Sequence, residues 1–133
     1  MTSAVLDASA VIAILRSEPG SDIVRSALSG AAMSAVNYSE VLKKTIERGG
    51  SGEVAASFVR GLSIAIVPFD DQLAAVSADL YPETKQHGLS LADRACLALG
   101  IQRKCKVLTS ERRMGLVVLP IKVKLIRTHD GRH

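Results

Sequence analysis

The order of segments along the chain predicts an α/β fold, a central parallel β-sheet flanked by helices on both faces. β-rich runs alternate with helical ones, and such a chain must cross over its own sheet and lay helices on it. Hydrophobic residues make up 47% of the sequence but aromatic ones only 3%, an aliphatic balance suited to strands buried on both faces. At 133 residues the chain can build one layered core without a linker, so residues 1–133 are expected to form a single domain.

Each element follows from its own stretch. "SAVLD" predicts the first strand, followed by a helix from about Ser9 and a second over Ser21 to Ser29. "AAMSAV" predicts the second strand, and helices then run from Tyr38 to about Arg48 and from Glu53 to Arg60, divided by the breaker "GGSG". "SIAIVPF" reads as a strand, "DDQLAAVSADLYPETKQHG" as a helical segment interrupted by Pro82, and "LSLADRACLALGIQRK" as a strongly apolar helix. Two strands, "KVLTS" and "PIKVKLI", finish the chain. In the latter Lys122 and Lys124 alternate with Ile121, Val123 and Leu125, the pattern of an edge strand.

Composition narrows the function classes. A net charge of +4 and a pI near 9.3 favour an anionic partner, while the scarcity of aromatic residues argues against base-stacking platforms. "MTSAVLDAS" lacks a positive stretch ahead of a signal-type apolar core, and no apolar run approaches the roughly 18 residues of a membrane span; no membrane association and a cytoplasmic location are expected. Cys96 and Cys105 lack CxxC spacing and a nearby histidine, so they read as reduced packing residues rather than zinc ligands. The terminal "THDGRH" reads as a frayed polar tail, and His87 as a loop residue.

The carboxylates are more informative. Of the thirteen, most lie in polar surroundings where solvation accounts for them. Asp7, however, interrupts the apolar "AVLDASAVIAIL", and a buried carboxylate needs a partner or a proton. Glu40 in "VNYSEVL" and Asp93 in "LSLADRACLAL" fall in the first turns of helices that follow the second strand and a loop, and Glu111 follows "KVLTS". In an open parallel sheet the strand carboxyl ends and the following helix amino ends share one edge, where such folds build their sites. All four acids map to that edge. Together they would repel unless a cation joined them, and hard oxygen donors without His or Cys suit Mg²⁺ or Mn²⁺.

Helix capping competes with this reading. Ser90 to Asp93 reads S-x-x-D and Asn37 to Glu40 reads N-x-x-E, so either acid suits the third position of a capping box. Asp7 and Glu111 are not expected to be caps, and they tilt the set toward a metal site. For Asp70 and Asp71 capping is the better account. Ser9, Thr109 and Ser110 are hydroxyls beside the proposed ligands and candidates to hold them in place, although ordinary turn and strand roles serve equally well.

"VLDASAVIAIL", "NYSEVL", "GLSLADRACLALG", "VLTSERR" and "VKLIR" fall in the order and spacing of PIN-domain proteins, and the chain resembles the VapC-type toxins of bacterial toxin and antitoxin pairs over nearly its whole length. The resemblance implies a PIN fold, Mg²⁺- or Mn²⁺-dependent endoribonuclease activity on structured or ribosome-associated RNA, a homodimer, and a small VapB-like antitoxin that blocks the acidic pocket. Carried over by motif, the acids are Asp7, Glu40, Asp93 and Glu111. The last departs from the pattern: family members usually read "TADRAW" where this chain reads "TSERRM", so a Glu stands where Asp is expected and Met114 replaces an aromatic residue. The extra methylene adds about 1.5 Å of reach, against site tolerances of about 0.5 Å.

The mechanism that follows is hydrolysis of RNA phosphodiesters by metal-activated water, with Arg94, Arg112 and Arg113 as candidate phosphate contacts or as solvated charges. A haloacid-dehalogenase-type enzyme would want an acid where this chain has Ser9, and a receiver domain would want acids within "TSAV". Dinucleotide binding lacks its Gly-rich loop. A catalytically attenuated PIN domain that only binds RNA or its antitoxin is the remaining alternative, and Glu111 favours it.

Overall fold

The computed structural model describes residues 1–128, so the histidines of the tail, His129 and His133, lie outside the described residues. Strands β1 (Ala4–Leu6), β2 (Ala31–Ser34), β3 (Ala65–Val67), β4 (Lys106–Thr109) and β5 (Val123–Leu125) form a wholly parallel five-stranded sheet in the order β3-β2-β1-β4-β5. Helices α1 (Ala8–Leu15) and α2 (Ser21–Ser26) link β1 to β2, and α3 (Ala35–Glu47) and α4 (Gly52–Gly61) link β2 to β3. Helices α5 (Asp71–Asp79), α6 (Tyr81–Lys85) and α7 (Leu91–Arg103) lead to β4.

From β1 the chain winds outward through β2 and β3, then returns to the other side of β1 for β4 and β5. The reversal lies between β1 and β4, the position where open α/β sheets form a crevice at their carboxyl edge.

Alternation along the short strands separates two cores. Ala4 and Leu6 of β1, Met33 of β2 and Leu108 of β4 pack with α1 to α4, whereas Val5, Ala32 and Val107 pack with α5 and α7. The run Ala95 to Gly100 of α7 is buried throughout, as befits a helix covered on all sides. Gly100 permits this contact, since a Cβ there would stand 2.7 Å from the Val107 side chain and 2.8 Å from that of Ile121. Cys96 is buried and Cys105 half-buried, and both are free thiols.

Several boundaries shift from expectation. β2 ends at Ser34, whose hydroxyl accepts from the Val36 amide and caps α3, so the helix starts at Ala35 rather than Tyr38. Glu40 therefore lies in the second turn, not the first. Pro82 sits in the first turn of α6, where its missing N–H is harmless. Only Val123–Leu125 of "PIKVKLI" pair as a strand, at the sheet edge with Lys124 exposed. The segment Arg112–Leu116, with no expected structure, is a 3₁₀ helix. Among the described residues no helix is long and apolar enough to cross a membrane.

Candidate active site

Asp7 follows β1 directly, caps α1 and is only 5% exposed. Its Oδ1 accepts from the Ser9 hydroxyl at 2.7 Å and the Ala10 amide at 3.0 Å, and its Oδ2 accepts from the Thr109 hydroxyl. Each hydroxyl is itself held by a backbone N–H from beyond β4: Ser110 donates to Ser9 Oγ at 2.8 Å, and Glu111 to Thr109 Oγ1 at 2.9 Å. The chain thus runs two hydrogen-bonded relays from the end of β4 to one buried carboxylate. Burial pushes the Asp7 pKa up to about 6, outweighing the hydrogen bonds from Thr109, Ser9 and Ala10 that lower it; the charge of Asp93 raises it further.

A pocket of about 400 Å³ opens above Asp7, and Glu40, Asp93 and Glu111 line it with Ser9 and Ser110. Sequence reasoning thus grouped these acids at one pocket. Two cations in the same lining, Lys44 and Arg127, were missed. Both had a signal. Lys44 is one turn beyond Glu40, and Arg127 lies two residues past the end of β5, on the carboxyl edge that carries the acids. Cys96 reports the convergence from below, since its thiol pKa is raised by burial and then by the charges of Asp7, Asp93 and Glu40.

Capping is more widespread than expected. Ser90 and Asp93 form a reciprocal capping box on α7, as their spacing suggested. Asp7 and Glu111 are caps too, of α1 and of the 3₁₀ helix, which overturns the expectation that capping would not account for them. Asn37, in contrast, caps nothing. Fully inside α3, it donates from Nδ2 to the Ala92 carbonyl at 3.0 Å and to Glu40 Oε1 at 3.4 Å. Asp70 caps α5 as anticipated.

The arginines expected at phosphate are partly committed elsewhere. Arg113 binds Glu111 through Nε at 2.9 Å and Nη2 at 3.3 Å, and reaches the Gly88 carbonyl at 3.2 Å. Arg94 lies 5.4 Å from the Tyr81 ring centre, while Arg112 is exposed.

The donor set fits a hard divalent cation. All four acids supply oxygen, the pocket lining contains no His or Cys, and Asp7 accepts three hydrogen bonds out of the roughly four a carboxylate can take. Among the described residues no three acids, histidines or cysteines stand close enough together to hold one ion. Glu40, Asp93 and Glu111 each bond to a protein donor instead: Asn37, the Ser90 amide and Arg113.

A family model for the PIN domain matches residues 4–117. The chain belongs to the PIN-domain family. Its fold is similar to that of DNA-bound VapBC from Salmonella typhimurium, with a TM-score of 0.73 at 17% identity over 95% of this chain and 99% of that one. A VapC toxin of Mycobacterium tuberculosis described as cleaving the sarcin-ricin loop gives a TM-score of 0.71 at 12% identity, covering 87% and 97% of the two chains. A toxin-antitoxin complex from Klebsiella pneumoniae gives 0.67 at 18%, covering 90% and 95%. No curated protein sequence matches the chain significantly. As a PIN domain the chain has its acid pocket at the switch point of the sheet, between the ends of β1 and β4.

Proposed function

We propose that this PIN domain is a Mg²⁺- or Mn²⁺-dependent endoribonuclease acting as the toxin of a toxin-antitoxin pair. The observation that carries the reading is the buried Asp7 carboxylate beneath a pocket lined by Glu40, Asp93 and Glu111. Asp7 caps α1, but a neutral Ser or Thr would cap it equally well without the desolvation that pushes this carboxyl up to about 6.

In this reading Glu40 and Asp93 would turn from their Asn37 and Ser90 donors to join Asp7 in holding the cation, and Glu111 would support it or complete a second position. When bound, the ion supplies a water of lowered pKa and neutralises charge on the leaving oxygen. Ser9 and Thr109 fix both oxygens of Asp7, so its lone pairs keep one orientation. Asn37 steadies Glu40 against α7. No side chain is needed as a nucleophile.

The likeness to VapBC complexes supports a small VapB-like antitoxin as partner, and the sarcin-ricin-loop-cleaving neighbour supports an RNA substrate. A homodimer in the cytoplasm completes the proposal. The second reading, an attenuated domain that binds RNA or antitoxin without cutting, is favoured by the Glu111–Arg113 pair, which turns one acid toward a protein cation.

Titration of the purified protein with Mn²⁺, followed by water proton relaxation, tests the metal site directly. Saturable binding that Asp7→Asn abolishes supports the nuclease reading. Binding of equal strength in both proteins contradicts it.

A further inference from the structure

The acid pocket does not end at Glu40. It continues into a second cleft between α1 and α3, and the two share Ser9, Lys44, Ser110 and Arg127. Arg16 and Arg48 line the far part of that cleft. Glu40 and Lys44 of α3 and Arg48, its C-cap, are spaced four residues apart and follow one face, each step advancing about 6 Å along the axis. One helix face therefore carries an acid at the pocket and two cations leading away from it.

The carboxylates of the cleft are already matched. Glu18 pairs with Arg127 at 3.2 Å, and Glu47 with Lys43 at 3.6 Å. The excess positive charge lies on Arg16, Lys44 and Arg48. Arg16 donates to the Lys44 carbonyl at 3.4 Å, which carries its guanidinium across to α3. On the opposite side of the pocket Arg94 and Arg113 are held by Tyr81 and Glu111, and neither lines either cavity.

We propose that the substrate RNA strand leaves the acid pocket along the α1–α3 cleft, its phosphates held by Lys44, Arg48 and Arg16, with Arg127 at the junction. This rests on the ribonuclease reading and adds a direction to it. A regularly repeated anion that presents one phosphate to the acids must place its next ones a short, fixed step away, and cations one and two turns beyond Glu40 meet that requirement. The cleft contacts are to the backbone, so they position the strand without reading its sequence.

Binding of a fluorescein-labelled single-stranded RNA of mixed sequence, followed by anisotropy in EDTA so that nothing is cut, tests the assignment. One phosphate contact contributes a slope of about 0.7 in log K against log salt for single strands, which is about fivefold in affinity at 0.1 M salt. Lys44→Ala and Arg48→Ala are each expected to lose that factor and that slope, and Arg48→Lys to retain the slope. Arg60→Ala, on α4, is the control expected to bind like wild type. Wild-type affinity in both cleft variants, with loss in Arg112→Ala, overturns the proposal and moves the strand to the other side. Unchanged RNA binding with lost binding of a labelled polyglutamate overturns it in favour of an acidic protein partner. If the wild type neither binds RNA at any salt nor cuts it with Mn²⁺, the ribonuclease reading itself fails.

Discussion

Thr109, the last residue of β4, donates its hydroxyl hydrogen to Oδ2 of Asp7, the residue after β1, across 102 positions of sequence. The bond ties together the carboxyl ends of the two neighbouring strands between which the winding order of the sheet reverses. It also makes the buried carboxylate depend on a hydroxyl that itself accepts from the Glu111 amide.

Thr109→Val keeps the shape and removes both bonds. A lost hydrogen bond to a buried charged group costs about 1.5–3 kcal/mol, and the Asp7 pKa should rise above its present value of about 6. Thr109→Ser should behave like wild type. Urea denaturation and a carbon-detected NMR titration of the Asp7 carboxyl measure the two effects.

Asp7 also sets a pH dependence. Its folded-state pKa, about 6, lies above the ordinary 3.8, so the folded protein binds the proton more tightly than the unfolded chain. Stability from this group is complete below about pH 4 and is lost as pH rises through 6, a difference of roughly 2–3 kcal/mol. In EDTA, Asp7→Asn should abolish that slope and stabilise the protein at pH 7, while Mn²⁺ should stabilise the wild type above pH 6 and leave the variant unmoved. Denaturant midpoints at pH 4 and pH 7 provide the measurement.

Asn37 predicts a coupling between two helices. Its side chain is buried and spans Glu40 on α3 and the carbonyl before Asp93 on α7. Asn37→Ala should weaken Mn²⁺ binding by about 10–100-fold, the usual effect of removing a group that orients a ligand. A smaller loss than in Glu40→Gln is expected, and the Mn²⁺ titration compares the two.

The Glu111–Arg113 pair predicts the opposite sign. Arg113→Gln releases an exposed, solvent-screened ion pair and removes a cation from beside the acids, so Mn²⁺ affinity should rise a few-fold. Glu111→Asp, whose shorter chain reaches Arg113 less well, should cut RNA faster than wild type. Single-turnover cleavage and the Mn²⁺ titration check these outcomes.

The sheet and its helices were legible because each element is written locally, as the aliphatic "AAMS" or the buried run of α7. The acids could be grouped because strand ends share an edge whatever the side chains beyond it do. What stayed hidden depends on contacts between distant segments. Nothing local tells that Asn37 reaches Ala92, or that Arg113 folds back on Glu111 and the turn at Gly88 instead of facing the pocket. The start of α3 was misread because Ser34, the last residue of a buried strand, doubles as its cap, which in turn misplaced Glu40 by a turn. Lys44 and Arg127 line the pocket, but nothing in their own stretches distinguishes a cation facing a site from one facing solvent.

The most direct test of the central claim is cleavage of a mixed RNA substrate by the purified protein, freed of any bound antitoxin, with Mn²⁺, with Mg²⁺ and with EDTA, beside Asp7→Asn. Cutting that requires the metal and disappears in Asp7→Asn is the predicted result. Cutting that persists in EDTA or in Asp7→Asn, or a folded wild type inert with both metals, would contradict it.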